Sequence, residues 1–422
     1  MNSANSTFWF TLSKHTYVSF NSQSPLLLYN TYNGKTLVVH NSNCLEIVQN
    51  VYEPSNLGVI EINPEKLGEQ VYDFIEKSVA LGIGIKMEKT ISTNKPINLL
   101  PILNLQNDVE KLISTGETHL IGDHISGYLT SLTLYITNHC KQNCVHCGEY
   151  LKQTYFCTKK LNGNFLPLET VKTLLEQTES TQLKKVNFLG GDLALYPQWK
   201  DIFCVLNQYS YDYHFWFHLN NVSGVNLDDF PGRKEILVAY PFEEESFNKC
   251  AKEFSNRNDV TFHFLIDNEK TFTYFNELSE HLGHLNFEFI PFYNSENIDF
   301  LTQNVFLDEK DILSETLEMR KIFCNQKLNS NFFGSLTVFP DGSVKVNPNA
   351  PVIGKLPDNS LLELIYKELT SNTAWRKVRG EGKCNSCMYR FLCPPPGNLE
   401  SILRREDLCH VNMNVVSELQ DI

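Results

Sequence analysis

The pattern of hydrophobic and polar positions divides the chain into three parts. In about the first 90 residues, short alternating runs predict strands, and two runs with helical spacing predict helices, the second beginning at Asn63 and Pro64. From Ser131 onward, six apolar runs of strand length alternate with four amphipathic helices, an order typical of parallel strands joined by crossover helices. The six predicted strands are Ser131 to Ile136, Lys185 to Leu189, Tyr213 to Leu219, Glu235 to Ala239, Val260 to Leu265 and Leu285 to Ile290.

These changes of pattern predict an α/β protein with four segments. An α+β module occupies residues 1–90, a linker with one helix at Asp108 to Ser114 occupies 91–128, a strand–helix unit occupies 129–307, and a C-terminal region occupies 308–422. A chain of 422 residues is long enough for two or three domains, each with its own core.

The net charge and the N-terminal sequence limit the kinds of partner that the protein can bind. The chain has 36 Lys and Arg against 49 Asp and Glu, a formal charge of −13, and it has no basic stripe, so a nucleic acid is disfavoured. The first 20 residues lack a basic region followed by an apolar run, and no stretch reaches the roughly 18 apolar residues of a membrane helix. The sequence therefore predicts a cytoplasmic protein without a membrane partner.

Most of the candidate chemistry lies in two groups among the 12 cysteines. Cys140, Cys144 and Cys147 form C-x3-C-x2-C, while Cys384, Cys387 and Cys393 form C-x2-C-x5-C and are followed by Cys409. Because a chosen three-cysteine spacing arises by chance about 0.01 times in such a chain, the two groups indicate metal ligands rather than coincidence.

The first group follows the first predicted parallel strand, which places it in a loop at the carboxyl end of the sheet, where such folds carry their chemistry. Three thiolates suit a four-iron cluster whose fourth iron stays open to a small molecule. The alternative is a structural zinc ion with His139 or His146 as fourth ligand.

In this loop the chain resembles the radical S-adenosylmethionine (SAM) enzymes, whose signature is C-x3-C-x2-C after the first strand of a partial (β/α)6 barrel. The resemblance implies a 4Fe-4S cluster that binds SAM, an external one-electron reductant, and cleavage of SAM to a 5′-deoxyadenosyl radical. Gly190, Gly191 and Asp192, after the second predicted strand, correspond to a Gly-Gly-Glu motif that contacts SAM. His146 occupies a position that is often aromatic and can pack against the adenine, with a solvated loop histidine as the alternative.

The C-terminal region resembles a SPASM domain, the auxiliary-cluster extension of peptide-modifying radical SAM enzymes. Two of its cysteine positions are Asn347 and Gly397 here, so the first auxiliary cluster is expected to be absent. The resemblance assigns Cys384, Cys387, Cys393 and Cys409 to a second, fully ligated 4Fe-4S cluster, and an all-cysteine zinc site remains the alternative.

The segment from Pro25 to Met87 is similar to the winged-helix-like modules that bind the leader of a ribosomally made precursor peptide. Such a module takes the leader as an added strand, and a dimerisation or packing module is the alternative. As a whole, the chain resembles radical SAM/SPASM peptide maturases, of the group paired with Gly-Gly leaders. Two functions follow: an enzyme that abstracts hydrogen from a precursor peptide, or a degenerate partner that binds the peptide or a sister maturase. No catalytic side chain is assigned.

Overall fold

A mixed α/β arrangement with one large, mostly parallel sheet and two small antiparallel sheets makes up the computed structural model of this chain. The described residues are 7–19, 25–89, 94–101, 108–117, 125–154, 165–222 and 224–412. None of the helices within these ranges is long and apolar enough to cross a membrane.

The N-terminal module contains two three-stranded sheets instead of the one expected. The first has the order β5-β1-β6 and the second the order β2-β3-β4. Helices α1 and α2 cover a core to which both sheets contribute. The bounds are β1 Phe8–Leu12, β2 Thr16–Ser19, β3 Leu26–Asn30, β4 Thr36–Val39, α1 Ser42–Tyr52, β5 Ile60–Ile62, α2 Glu69–Ala80 and β6 Gly84–Glu88.

One helix start in this module was predicted wrongly. The Asn63 side chain does cap a helical turn, but that turn is a short 3-10 helix over Pro64–Lys66. Gly68 then adopts an extended conformation, and α2 begins only at Glu69. A cap followed by proline therefore marked the right place, while the extended backbone at Gly68 separated the cap from the helix that it was expected to begin.

The second small sheet is buried on both faces. Val18, Leu26 and Leu28 point into the core of the module. The alternate residues Tyr17, Leu27 and Tyr29 pack against an apolar cluster of the C-terminal region, formed by Ile312, Ile322, Met388, Tyr389 and Leu392. Because this contact buries large side chains on both partners, removal of residues 1–90 would expose the C-terminal cluster to water.

Tyr29 gives a test of this contact. Its hydroxyl accepts a hydrogen bond of 2.8 Å from the backbone N–H of Leu317. Tyr29→Phe is expected to lower the free energy of unfolding by about 1 kcal/mol, because the N–H loses its partner at a largely buried contact. Tyr32→Phe is the matched control, since Tyr32 is 80% exposed, and an equal loss in both variants would contradict the packing role. Chemical denaturation measures both.

Six parallel strands in chain order form the main body of the large sheet, in agreement with the predicted alternation. Helices on the outer face bury the apolar side of each strand in the largest core of the chain. The elements are α3 Asp108–Thr115, β7 Ser131–Thr137, α4 Cys147–Gln153, α5 Leu168–Thr178, β8 Lys185–Gly190, α6 Trp199–Leu206, β9 Asp212–His218, α7 Leu219–Val222, β10 Arg233–Val238, α8 Glu244–Glu253, β11 Val260–Ile266, α9 Glu269–His281 and β12 Asn286–Pro291.

The C-terminal region continues this sheet. Strand β13 Ser335–Val338 pairs in parallel with β7, and β14 Ser343–Lys345 and β15 Gly354–Lys355 follow in antiparallel order, which gives a nine-stranded sheet. The expected turn at Gly342 joins β13 to β14, with a φ of 82° that favours glycine. The remaining helices are α10 Ile298–Asn304, α11 Glu309–Ile312, α12 Met319–Lys327, α13 Leu361–Lys367 and α14 Asn398–Leu403.

The inner face of the six parallel strands carries a buried polar network. The Glu235 carboxylate on β10 lies 2.6 Å from Nδ1 of His214 on β9 and 2.8 Å from Nε2 of His263 on β11. The His263 ring stacks on Trp216, with ring centroids 4.7 Å apart. Three neighbouring strands are thereby joined through side chains as well as through their backbones.

Candidate active site

The loop between β7 and α4 carries the first cysteine group and is pressed against the end of β8. The backbone N–H of Gly191 donates to the Thr137 carbonyl (3.0 Å), and that of Asp192 donates to the His139 carbonyl (2.7 Å). A Cβ atom at Gly191 would overlap the His139 carbonyl oxygen and would lie 2.8 Å from Cβ of Cys140. Gly191 is therefore required by the close approach of the cysteine loop, and Gly190 by Thr137, whose carbonyl oxygen would lie 2.5 Å from a Cβ atom there.

Two amide groups donate to Cys140, one from its own loop and one from the segment just after β9. The Gln142 backbone N–H and the Asn221 side-chain nitrogen both donate to Sγ of Cys140, at 3.4 and 3.8 Å. Asn221 also donates to the Gly191 carbonyl at 3.3 Å and accepts from the Gln142 side chain at 3.0 Å. Hydrogen bonds of this kind stabilise a thiolate or a cluster-bound sulfur.

A cavity of about 340 Å³ lies beside Cys144 at the carboxyl ends of the parallel strands. Cys144 and His146 belong to its lining, together with residues at or just after the ends of β10, β11 and β12. The His146 ring lies 5.6 Å from Phe292 and 6.3 Å from Tyr150, so it forms part of an aromatic wall. This volume falls within the range of about 300–1,000 Å³ found for small-molecule sites.

His218, at the end of β9, brings a neutral polar group to the cavity. Burial lowers the pKa of His218 to about 4, so the ring is uncharged at neutral pH. Nδ1 accepts a hydrogen bond of 3.2 Å from the Asn220 backbone N–H. In this neutral form Nε2 carries the proton and can donate it to a ligand in a hydrogen bond.

Asp192 lies in the expected place but its carboxylate already has a structural use. It accepts a hydrogen bond of 3.2 Å from the Ala194 backbone N–H and caps a 3-10 turn over Leu193–Leu195. Burial raises its pKa above the ordinary value for aspartate. The capped carboxylate is the main departure from the SAM contact that the resemblance implies.

The three cysteines of the first group differ in their surroundings. Cys140 accepts hydrogen bonds from amides, Cys144 lines the cavity, and Cys147 is buried at the start of α4. No group of three or more Cys, His, Asp or Glu side chains within the described ranges is close enough together to hold a metal ion. The three-cysteine donor set, the amide contacts to Cys140 and the neighbouring cavity are of the kind that a SAM-binding cluster uses, but the three sulfurs are not gathered into a metal site in this structure.

The second cysteine group surrounds a buried arginine. Burial raises the pKa of Cys384, of Cys387 to about 11, and of Cys393 to about 12, and in each case the charge of Cys409 raises it further. The Arg379 guanidinium opposes these increases, and it donates to Glu400 Oε1 at 2.7 Å. Thiolates bind both iron–sulfur clusters and zinc, but in this structure the four sulfurs are not gathered into a group that could hold a metal ion.

Several residues of the site were missed by sequence reasoning. Four residues that line the cavity, His218, Tyr150, Asp267 and Phe292, were not singled out. Three of these side chains lie at or just after the end of a parallel strand, namely His218, Asp267 and Phe292, and position is the signal that could have found them.

The fold and the site define a class of protein: a parallel α/β sheet with a cysteine loop and a small-molecule cavity at its carboxyl end. Several solved structures are similar to this chain. One is Streptococcus suis SuiB bound to S-adenosylmethionine, with 12% identity and a TM-score of 0.46, covering 95% of this chain and 100% of that one. A second is SuiB bound to precursor peptide SuiA, with 14% identity, a TM-score of 0.41 and the same coverage.

A third similar structure is histidine-tagged anSMEcpe with bound AdoMet, with 11% identity and a TM-score of 0.45, covering 68% of this chain and 94% of that one. No family model matches the chain, and no curated protein matches its sequence. Similarity at this level does not place the chain in a family.

Proposed function

We propose that this chain is a radical SAM enzyme that modifies a ribosomally made precursor peptide with a Gly-Gly leader. The observation that carries the proposal is the C-x3-C-x2-C loop, which opens through Cys144 into the cavity at the carboxyl ends of six parallel strands. Cys140, Cys144 and Cys147 would hold a 4Fe-4S cluster. When bound, the cluster and SAM supply a carbon radical for hydrogen abstraction, with one electron from an external reductant.

The residues around the cavity would orient SAM and keep water away. The amide contacts of Asn221 and Gln142 hold Cys140 against Gly191. The aromatic wall of His146, Tyr150 and Phe292 offers an apolar surface for the adenine ring. The neutral His218 ring can donate a hydrogen bond to a polar group of the ligand without adding charge.

The N-terminal module is proposed to bind the leader. Strand β6 forms the end of the first small sheet, and within the described ranges no strand pairs with its outer side. An extended peptide can add there through backbone hydrogen bonds. Because the module also packs on the C-terminal region, its function is better tested by point variants than by deletion of residues 1–90.

A second candidate is a non-catalytic partner that binds the precursor peptide or a sister maturase. One observation favours it: the Asp192 carboxylate caps a 3-10 turn. A degenerate site would keep the fold and the peptide surfaces without cleaving SAM.

Production of 5′-deoxyadenosine separates the two candidates. Anaerobically reconstituted protein with SAM and a strong reductant is expected to form 5′-deoxyadenosine, and Cys144→Ala is expected to abolish it because an iron ligand is lost. Cys204→Ala is the matched control, since Cys204 is an exposed free thiol on α6, and it should retain activity. If the wild-type protein binds SAM but never cleaves it, the enzyme proposal is wrong and the partner proposal stands.

Metal analysis of the same samples tests the C-terminal site. About eight irons per chain are expected for two 4Fe-4S clusters, and replacing Cys140, Cys144 and Cys147 together should remove about half. A preparation with one zinc and about four irons would show that Cys384, Cys387, Cys393 and Cys409 hold zinc instead.

A further inference from the structure

A cleft of about 850 Å³ lies between the end of α4 and the C-terminal region. It shares no lining residue with the cavity beside Cys144. Lys152 of α4 stands at one side, the turn that follows α13 forms another, and α14 closes a third. The cleft is therefore next to the cysteine helix without being part of the small-molecule site.

The lining of the cleft is cationic in a chain that is strongly acidic overall. Four cations line it, Lys152, Arg376, Lys377 and Arg404, against the single anion Glu381. At physiological salt the Debye length is about 8 Å, so these local charges outweigh the distant surplus of carboxylates. An anionic ligand is the partner that this lining attracts.

Three cations of the cleft, Lys152, Lys377 and Arg404, are only weakly engaged within the described part of the chain. Lys152 pairs with Glu149 at 3.0 Å, and Lys377 lies 3.9 Å from Glu381 and 4.0 Å from Glu406, with both lysines about half exposed. Arg404 is exposed and has no ion-pair partner within the described ranges. The exposed Lys152–Glu149 and Lys377–Glu381 pairs contribute about 0–1 kcal/mol, so a ligand carboxylate can replace them at little cost.

Buried polar contacts hold the cleft walls in place. The Glu368 carboxylate, fully buried, accepts a hydrogen bond of 2.8 Å from the Trp375 backbone N–H and another from the Asn372 side chain. On the other wall, the Asn349 side chain donates to the Lys152 carbonyl at 2.7 Å. A cleft built in this way binds without first having to order its own loops.

The asparagine side chains that line the cleft favour a peptide over a phosphate polymer as its ligand. Asn347 is 5% exposed, and its oxygen accepts from the Asn349 backbone N–H at 2.8 Å, while its nitrogen has no hydrogen-bond partner within the described ranges. The side-chain oxygens of Asn349 and Asn372 likewise have no donor there, so the cleft offers acceptors as well as donors. An extended peptide has N–H and C=O groups for both, whereas a polyphosphate offers only acceptors.

We infer that this cleft binds an acidic, extended peptide segment. The carboxylates of the peptide pair with Lys152, Lys377 and Arg404, and its backbone pairs with the asparagine amides. Asn347 is also one of the two positions at which the SPASM pattern has a cysteine. The cleft therefore presents a side-chain amide for the peptide at a position where that pattern has a cluster ligand. The inference deepens the proposed function and rests on it for the biological identity of the peptide.

A charge-reversal triple variant tests the cleft. The probe is a fluorescein-labelled decapeptide of alternating glutamate and glycine, and its binding to the full chain is measured by fluorescence anisotropy without SAM or reductant. Lys152→Glu, Lys377→Glu and Arg404→Glu together are expected to weaken binding at least tenfold. The matched control is Lys14→Glu, Lys200→Glu and Lys249→Glu, which changes the net charge equally at exposed positions outside the cleft and should weaken binding less than threefold.

Four outcomes would overturn the inference: no binding to the wild-type chain, equal weakening in both triple variants, tighter binding of a polyphosphate of equal charge, or a change in sedimentation of the protein alone that shows a second copy in the cleft. Near-ultraviolet circular dichroism of each variant shows whether it is folded, and single Arg404→Gln replaces the triple variant if that one is not. Because no SAM is present, loss of peptide binding is separate from loss of SAM cleavage.

Discussion

Replacing Glu235 by leucine is expected to lower the free energy of unfolding by about 3 to 5 kcal/mol at pH 7. The Glu235 side chain is only 7% exposed and holds both His214 and His263 by short hydrogen bonds. Without the carboxylate, both imidazoles lose a partner inside the sheet, where water cannot replace it. Glu235→Gln keeps the size and one acceptor, and we expect about half that loss.

Glu288→Gln is the control for this prediction. Glu288 Oε2 lies 3.4 Å from His263 Nδ1, but the Glu288 side chain is 67% exposed. An exposed pair contributes about 0–1 kcal/mol, so this variant should unfold almost like the wild type. Urea denaturation measures all three variants, and a loss at Glu288→Gln as large as at Glu235→Leu would mean that burial does not decide the effect.

The pH dependence of the Glu235 contribution has a definite sign. Burial by itself would raise the pKa of Glu235, but the hydrogen bonds and charges of His214 and His263 outweigh burial and lower it from 4.5 to about 2. The unfolded chain therefore binds this proton more readily than the folded chain. The stabilisation by Glu235 is complete above about pH 5 and is lost as the pH falls from about 4.5 to about 2, so the wild type and Glu235→Gln should converge in stability over that range.

Replacing Gly191 by alanine is expected to abolish 5′-deoxyadenosine formation and to lower the free energy of unfolding by about 1 to 3 kcal/mol. The added methyl group would meet the His139 carbonyl and would lie 2.8 Å from Cβ of Cys140. Both neighbours are fixed parts of the cysteine loop rather than flexible side-chain ends, so the loop itself has to move. Displacement of Cys140 would separate the three sulfurs that are proposed to bind one cluster.

Gly127→Ala is the matched control, because a Cβ atom there meets no heavy atom within 4 Å. It should retain wild-type stability and iron content. Iron analysis, SAM cleavage and thermal unfolding are compared for the two variants. A Gly191→Ala protein with full iron content and normal SAM cleavage would show that the close approach of Gly191 to the loop does not control the cluster.

Hydrophobic periodicity was a reliable guide to the elements of the large sheet. All six parallel strands and the four helices between them lie where the pattern predicted, with ends that differ by one or two residues. The reason is that each strand turns apolar residues toward the core under the outer helices, while each covering helix has a single apolar face. Such signals are local, so they can be read without knowing the partners of each element.

Local sequence could not predict which strands the C-terminal strands pair with. Nothing in the sequence of Ser335–Val338 shows that it pairs with β7 and extends the large sheet, because pairing is between residues about 200 positions apart. In the same way, the alternate residues of β3 divide between two cores, and only the packed structure shows that the second core belongs to the C-terminal region.

For the candidate site, the sequence by itself determined the chemistry: the two cysteine groups, the glycines beside the first, and the parallel sheet that places the loop at its carboxyl end. Only the tertiary structure decided which residues surround each sulfur, that Asp192 caps a turn, and that a cationic cleft lies beside α4. Residue type and spacing can be read directly from the sequence. Burial and neighbouring charge arise only when distant segments pack together and water is excluded.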